Sequence, residues 1–504
     1  MARRRSRNKG GKGSKSKPLP EGVRIKNGKV YLNIPRQFRD TATNPVDESE
    51  KLSDKPTARS KSVKLGQAKA AFDRITKLVS ASTTNFEAVA TSASRQTAHL
   101  LERRIETGAN WFSRNSTPRE PGVIIGFDFG TSSSKIAVRD PGGYEDDLAA
   151  MEAPHELQST EHPYLWQAVV WFDPDSLAFS ALPRKGFVAL SGFKTGIIGG
   201  FEDEPVDKRY EVSRSEAAAA YLALHFAQLF GWLQEAPPFG THTPDAFLGF
   251  NIGIPVAAID NSETCQNYKK LVSAAVQLIP SAGNVDLPAI RSALSAASEN
   301  LPNGFDIVPE LAAAIAGYSS QKTARTGAHL LIDVGASTLD MVTFLRVASK
   351  KATGIESSVE LLGAAALKVA KKAKEPTLEF ELACRHQYDV VIKDTRRESR
   401  TRTEFKVGRE VQIIATGGGR HTPLHRRFIN SRATASPLLG DIPIIFPSPP
   451  TAIAGKECDI ERLLIAYGLT MDVFEKVELL PPSQTLDIPM HSKVEITPPG
   501  AEQC

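Results

Sequence analysis

Ile124–Val138 reads IIGFDFGTSSSKIAV and Leu330–Phe344 reads LLIDVGASTLDMVTF. Each begins as a short apolar run, reaches an aspartate, turns through glycine and hydroxyl residues, and resumes a β-branched, largely apolar pattern. An apolar run ended by small residues predicts a β-hairpin, whose tight turn brings backbone N–H groups close to an anion. One such turn is a common feature. Two in one chain, each with an aspartate just before the glycine, predict a pair of loops gripping a phosphate chain from opposite sides.

Between the turns, Ala168–Phe172 is an apolar segment, and Ala246–Ile254 reads as a strand ended by Pro255. Ser215–Gln234, Asp260–Ile279 and Ala289–Ala297 carry helical patterns, and strand Leu330–Val334 opens the second half. Two similarly organised halves predict internal duplication of an α/β unit with a nucleotide cleft between them. Ahead of this body, Leu65, Ala68, Phe72, Ile75, Val79, Phe86, Val89, Ala93 and Leu100 follow three-four spacing. They predict a long helix or helix pair, which docks on the same chain or, through residues 65–100, self-associates or meets a partner as a short coiled coil. Ser113–Pro121 breaks that helix, and Val30–Ile34 is the one short strand expected further upstream. The predicted divisions are a basic disordered tail (1–62), a helical extension and linker (63–121), two α/β halves (122–325 and 326–480) and a C-terminal tail (481–504).

With 504 residues, 41% hydrophobic and 24% charged, the chain has the composition of a soluble globular protein with a tail-like part. Arg3, Arg4, Arg5, Arg7, Lys9, Lys12, Lys15 and Lys17 open it without an intervening acid; they outweigh the net charge of +5, so the remainder is net acidic. This Gly- and Ser-rich opening lacks the apolar area to offset the entropy of ordering. It offers nucleic acid only weak, long-range attraction, since no aromatic residue interleaves with the basic cluster. Cys265, Cys384, Cys458 and Cys504 form no close pair, which predicts reduced structural thiols, not a disulfide framework or zinc knuckle. No apolar core follows the basic start and no run reaches transmembrane length, so a cytoplasmic protein without membrane insertion is expected.

Around Asp128, Gly130 permits close approach while the amides and hydroxyls of Thr131, Ser132, Ser133 and Ser134 can surround phosphate oxygens. A bare carboxylate repels phosphate, so Asp128 implies a cation or water between them; magnesium, which keeps several waters, suits that arrangement. In the second turn Asp333 is placed to order a metal-bound water, Thr338 to donate to phosphate, and Asp340 to serve the backbone nearby. Neither turn contains GxxxxGK[ST] or GxGxxG, which disfavours a P-loop NTPase and a Rossmann dehydrogenase.

The first turn resembles the phosphate-1 signature of the actin, sugar kinase and Hsp70 ATPase superfamily, and is most similar to Hsp70. Ile332–Asp340 resembles the phosphate-2 signature, and Ile413–Arg420 with Thr422-Pro423 the loop that holds adenosine. Pro309–Ala316 and Leu464–Leu469 resemble the two connecting segments, and Phe193–Asp203 the segment with the catalytic lysine. The resemblance covers Gly122 to about Val477. It implies duplicated ribonuclease H-like domains forming a two-lobed actin-like ATPase fold, binding ATP or ADP with Mg2+ and slowly hydrolysing ATP. It implies that Lys194 stabilises the transition state and that Glu310 links the lobes. Phosphate would be held around Gly130, Thr131, Ser132, Ser133, Gly335, Ala336, Ser337 and Thr338, and adenosine against Gly417, Gly418, Gly419 and Arg420, with lobe closure coupled to a protein partner. The sequence departs from the family at Ala336 and Ser337, where glycines are usual, and the short stretch after Val477 implies no peptide-clamping domain. A non-hydrolysing nucleotide-dependent scaffold and an actin-like filament protein are the alternatives; a sugar kinase is disfavoured because no sugar-recognition set is evident.

Overall fold

The computed structural model describes residues 23–26 and 29–32, most of 95–348, and shorter stretches between 357 and 478. The chain forms two compact units, Met1–Asn85 and Phe86–Cys504. In the first, β1 (Val23–Lys26) and β2 (Lys29–Leu32) pair antiparallel from Val23↔Leu32 to Lys26↔Lys29, a hairpin where the apolar pattern alone suggests a single strand at Val30–Ile34. Residues 65–94 of the expected helix lie outside the described residues.

The second unit begins with α1 (Arg95–Arg114), β3 (Val123–Asp128), β4 (Ser133–Asp140), β5 (Asp147–Ala150), β6 (Trp166–Gln167), β7 (Val169–Phe172), β8 (Phe179–Ser180) and β9 (Val188–Ser191). It continues through α2 (Phe193–Ile198), α3 (Arg214–Glu235), β10 (Phe247–Ile254), α4 (Ser262–Leu278), α5 (Leu287–Ala296), β11 (Phe305–Pro309) and α6 (Glu310–Ser319). Then come β12 (Gly327–Val334), β13 (Thr338–Ala348), β14 (Ser357–Lys368), β15 (Gln412–Thr416), β16 (Ile444–Ile445), α7 (Ile460–Leu469) and β17 (Val477–Glu478). The architecture is mixed α/β, with several sheets flanked by helices.

The first large sheet has strand order β11-β10-β3-β4-β5, with β6 also on β4; the second has β16-β15-β12-β13-β14-β17. In the first, β10 is parallel to both β11 and β3, while β3–β4 and β4–β5 are antiparallel. In the second, β15 is parallel to both β16 and β12, while β12–β13 and β13–β14 are antiparallel. The two five-strand paths therefore repeat the same succession of directions. β3 and β12 are central strands covered on both faces, which is why they read as continuous apolar runs without alternation.

Helix α3 buries 17 of its 22 residues, so its polar positions are few and its apolar stripe has no edge. It packs under the first sheet, and α1 lies across it. The two backbones nearly touch: a Cβ on Gly108 would run into the Ala227 carbonyl, and one on Gly231 into that of Arg104. Arg103 and Arg104 pair with Glu235 at the end of α3. The described part of the N-terminal helix thus docks on its own chain, and it ends at Arg114, within the expected break.

A second core fills the space between the sheets, built on α6 and α7 with Ala137 and Leu148 from the first sheet and Leu331, Val342, Phe344 and Ile414 from the second. Helix α7 is also tied to the first sheet by polar bonds. Arg139 Nε donates to the Thr470 carbonyl at 2.9 Å, and Asn251 Nδ2 to that of Leu469 at 2.6 Å. Among the described residues no helix is long and apolar enough to cross a membrane, and Cys265 and Cys384 are free thiols.

The crossing of α6 and α7 depends on two glycines. A Cβ on Gly317 would lie 2.8 Å from the Leu464 carbonyl oxygen, and one on Gly468 would collide with that of Ala313. Gly468→Ala should therefore lower the unfolding free energy by about 1–3 kcal/mol, the usual cost of overpacking. Gly283→Ala, which meets open space, should stay within about 0.5 kcal/mol of the parent. Urea unfolding of the two variants beside the parent chain measures the difference.

Candidate functional site

Both turns stand at corresponding places in their sheets, each at the end of the central strand that leads into the antiparallel pair. Their side-chain arithmetic differs. Across the first hairpin Asp128 faces Lys135, and the Lys135 ammonium donates to Asp128 Oδ2 at 2.8 Å. Across the second, Asp333 faces Asp340. Directly opposed side chains interact, so the first turn is internally neutralised and the second is a like-charge pair.

The consequence is visible in the protonation balance. Burial, then Asp340 and Glu310, push the Asp333 carboxyl up to about 8, with Lys135 opposing. Burial works against charge on Lys135, yet Asp128 beside it, and Asp333 and Glu310 further off, hold its pKa above the ordinary lysine range.

A cavity of about 370 Å³ collects most of the residues singled out in the sequence. Asp128, Gly130, Thr131, Ser132 and Ser133 line it from the first turn, Asp333 and Gly335 from the second, and Gly417 and Gly418 from the end of β15. Lys194 enters from α2 and Glu310 from the first turn of α6. Lys194 is 3% exposed, and its ammonium donates to Glu310 Oε1 at 2.6 Å. Burial raises the Glu310 carboxyl, against the pull of that lysine.

Two glycines are required by contact. A Cβ on Gly130 would strike the Ser133 carbonyl oxygen, and Gly417, at φ +82°, would drive a side chain into Val334 and the Asp333 carboxylate. Ala336, Ser337, Gly419 and Arg420 lie outside the described residues; Thr338 opens β13, but its side chain is not among those described.

Thr416, from the segment resembling the adenosine loop, lines the cavity, as do Lys135, Ser159, His162 and Arg462, none of which sequence reasoning assigned to it. Lys135 was within reach, because a hairpin closing through Phe129–Ser134 puts it opposite Asp128. Arg462 was not: it enters from the start of α7, ahead of the recognisable segment, and Gly418 is the loop residue beside it. A second cavity of about 430 Å³ lies on the other side of α2, lined by Ile197, Glu202, Glu216 and Arg291 among others. It is similar in size and holds none of the expected phosphate, metal, nucleotide or catalytic residues, so size does not select the site.

Among the described residues no group of three or more His, Cys, Asp or Glu is arranged to hold a metal. Asp128 and Asp333 are two carboxylates on one cavity, which fits a hard, hydrated cation that brings phosphate or water as its other ligands. It does not fit an all-protein metal cage. Comparison of the sequence with protein-family models and with curated proteins returns no match.

Asp333 also gives a stability signature. Its carboxyl titrates near 3.8 when unfolded and near 8 when folded, so over that window the unfolded chain has released a proton that the folded one retains. Its contribution to stability then declines as pH rises, by up to about 1.4 kcal/mol per pH unit. Asp333→Asn should raise the urea midpoint relative to the parent by an amount that grows from pH 5 to pH 8 and levels off above it. Parallel unfolding curves across that range provide the check.

Proposed function

We propose that this chain binds ATP and slowly hydrolyses it to ADP and phosphate, on duplicated ribonuclease H-like units of the actin-like type. The observation that carries the reading is the convergence of both aspartate–glycine turns on one cavity. The matching succession of strand directions in the two sheets supports it, being what duplication of one unit would leave.

Each group then has a task. The hydroxyls and N–H groups from Gly130 to Ser133 hold the terminal phosphates, with Lys135 adding positive charge beside them. Gly335 and Gly417 let the backbone come close on the opposite side, and Gly418 with Arg462 borders the place for the rest of the nucleotide. Asp128 and Asp333 would hold magnesium, at least partly through water, and the bound ion would neutralise phosphate charge and polarise the attacking water. Lys194 stabilises the charge that develops during phosphoryl transfer. In the absence of phosphate Glu310 keeps that lysine at the cavity wall, since a buried ammonium without a partner would be costly.

Glu310 begins α6, and α6 crosses α7 between the sheets. Exchange of Lys194 from Glu310 to phosphate therefore changes the charge at the end of a helix that touches both halves. Such a change selects one arrangement of the halves only if they bind the nucleotide unequally, and the surface it alters is where a protein partner would read the state.

The test is ATP binding and magnesium-dependent turnover by the intact chain and by Lys194→Ala. Loss of a single donor to a developing charge should lower kcat by about 10²–10³-fold, with a much smaller change in affinity. Equal turnover in both would remove Lys194 from the mechanism. Tight binding without turnover in the parent would favour a nucleotide-dependent scaffold, and ATP-dependent light scattering would favour a filament.

A further inference from the structure

We propose that Tyr221 is a positioning residue that sets the Lys194 helix against the Asp128 turn; this inference rests on the ATPase reading. Tyr221 lies in α3 and is fully buried beneath the cavity. It does not line the cavity, but its hydroxyl lies toward Ser134 of the first turn and its ring meets the chain neighbours of Asp128 and Lys194. Phe129, next to Asp128, stacks on it at 5.8 Å and 25°, and Phe193, next to Lys194, packs at 5.3 Å and 44°. Phe129 and Phe193 also stack on each other at 6.0 Å and 19°, so three rings close a triangle. The Lys194 ammonium stands 5.5 Å from the centre of the Phe129 ring.

The triangle matters because α2 is only six residues long. A helix of that length has too few internal hydrogen bonds to hold its own orientation, so its direction is set by what it rests on. On one side it rests on Arg214, whose side chain a Cβ at Gly196 would strike. On the other its own first residue, Phe193, rests on the Tyr221 ring. Tyr221 is in turn backed by His225, stacked at 4.0 Å and 30°. The path from the rigid helix α3 to the reacting lysine thus runs through the tilted Tyr221–Phe193 contact, and the same ring stacks under the turn that carries Asp128. Replacing it with an aliphatic chain would keep burial and lose the planar support.

The experiment is a double-mutant cycle on kcat. Misplacement of a reacting group by about 1 Å costs roughly 10²-fold, so Tyr221→Leu should lower kcat by about 10–100-fold while ATP affinity changes little. Tyr221→Phe, which keeps the ring, should restore turnover to near the parent value. In a Lys194→Ala background, the Tyr221→Leu loss should shrink to about twofold or less, because a lysine that is absent cannot be misplaced. If Tyr221→Leu does not unfold cooperatively in urea, Phe193→Leu runs the same cycle from the α2 side. An undiminished loss in the Lys194→Ala background, or a Phe variant as impaired as Leu, overturns the inference while leaving the ATPase reading in place. Absence of turnover in the parent chain overturns both.

Discussion

Charge cannot be buried singly in a protein interior without a large cost, and the cavity is arranged around that constraint. It brings together Asp128, Lys135, Lys194, Glu310 and Asp333, all on walls formed by central strands and buried helices. Two of the acids are matched to lysines at hydrogen-bond distance. The remaining carboxylate, facing another across its hairpin, meets the constraint by keeping its proton. Any ligand must enter this balance by exchange. A polyanion, were it bound, would draw the lysines from their acids and leave those acids in need of a cation, so under the proposed function phosphate and a divalent ion would favour each other's entry.

The parts of this arrangement that were legible in the sequence are the local ones. An apolar run followed by Asp-x-Gly and hydroxyls places a turn at the end of a strand whatever lies around it, and both such turns stand where that pattern puts them. Helices α3, α4 and α5 fall close to the segments marked by their periodicity, and α6 starts within the segment marked by the resemblance. Lys194 and Glu310, by contrast, are 116 residues apart, and nothing in either segment advertises the other. Only resemblance to a known superfamily suggested that both belong to one site. β14 was hidden for a different reason: Gly363-Ala364-Ala365-Ala366 has neither β-branched residues nor alternation, and its strand state is imposed by pairing with β13.

The aromatic triangle shows the same division between local and tertiary information. Phe129 and Phe193 look like ordinary core residues in the sequence, and their burial bears that out. What sequence could not supply is that they share one neighbour on α3. The walls of the cavity and the packing one layer below it are therefore not separable descriptions of this fold.

The bonds from Arg139 to Thr470 and from Asn251 to Leu469 have a consequence for biosynthesis. Arg139 and Thr470 are separated by 331 positions. At a translation rate of about 5–20 residues per second, roughly 15–70 seconds separate the synthesis of Arg139 from that of Thr470. During that interval the face of β3 and β4 that α7 covers has no permanent neighbour. The nascent first half must wait on the ribosome with an incomplete core, and in that period it is the part of the molecule most exposed to holdase capture or to aggregation.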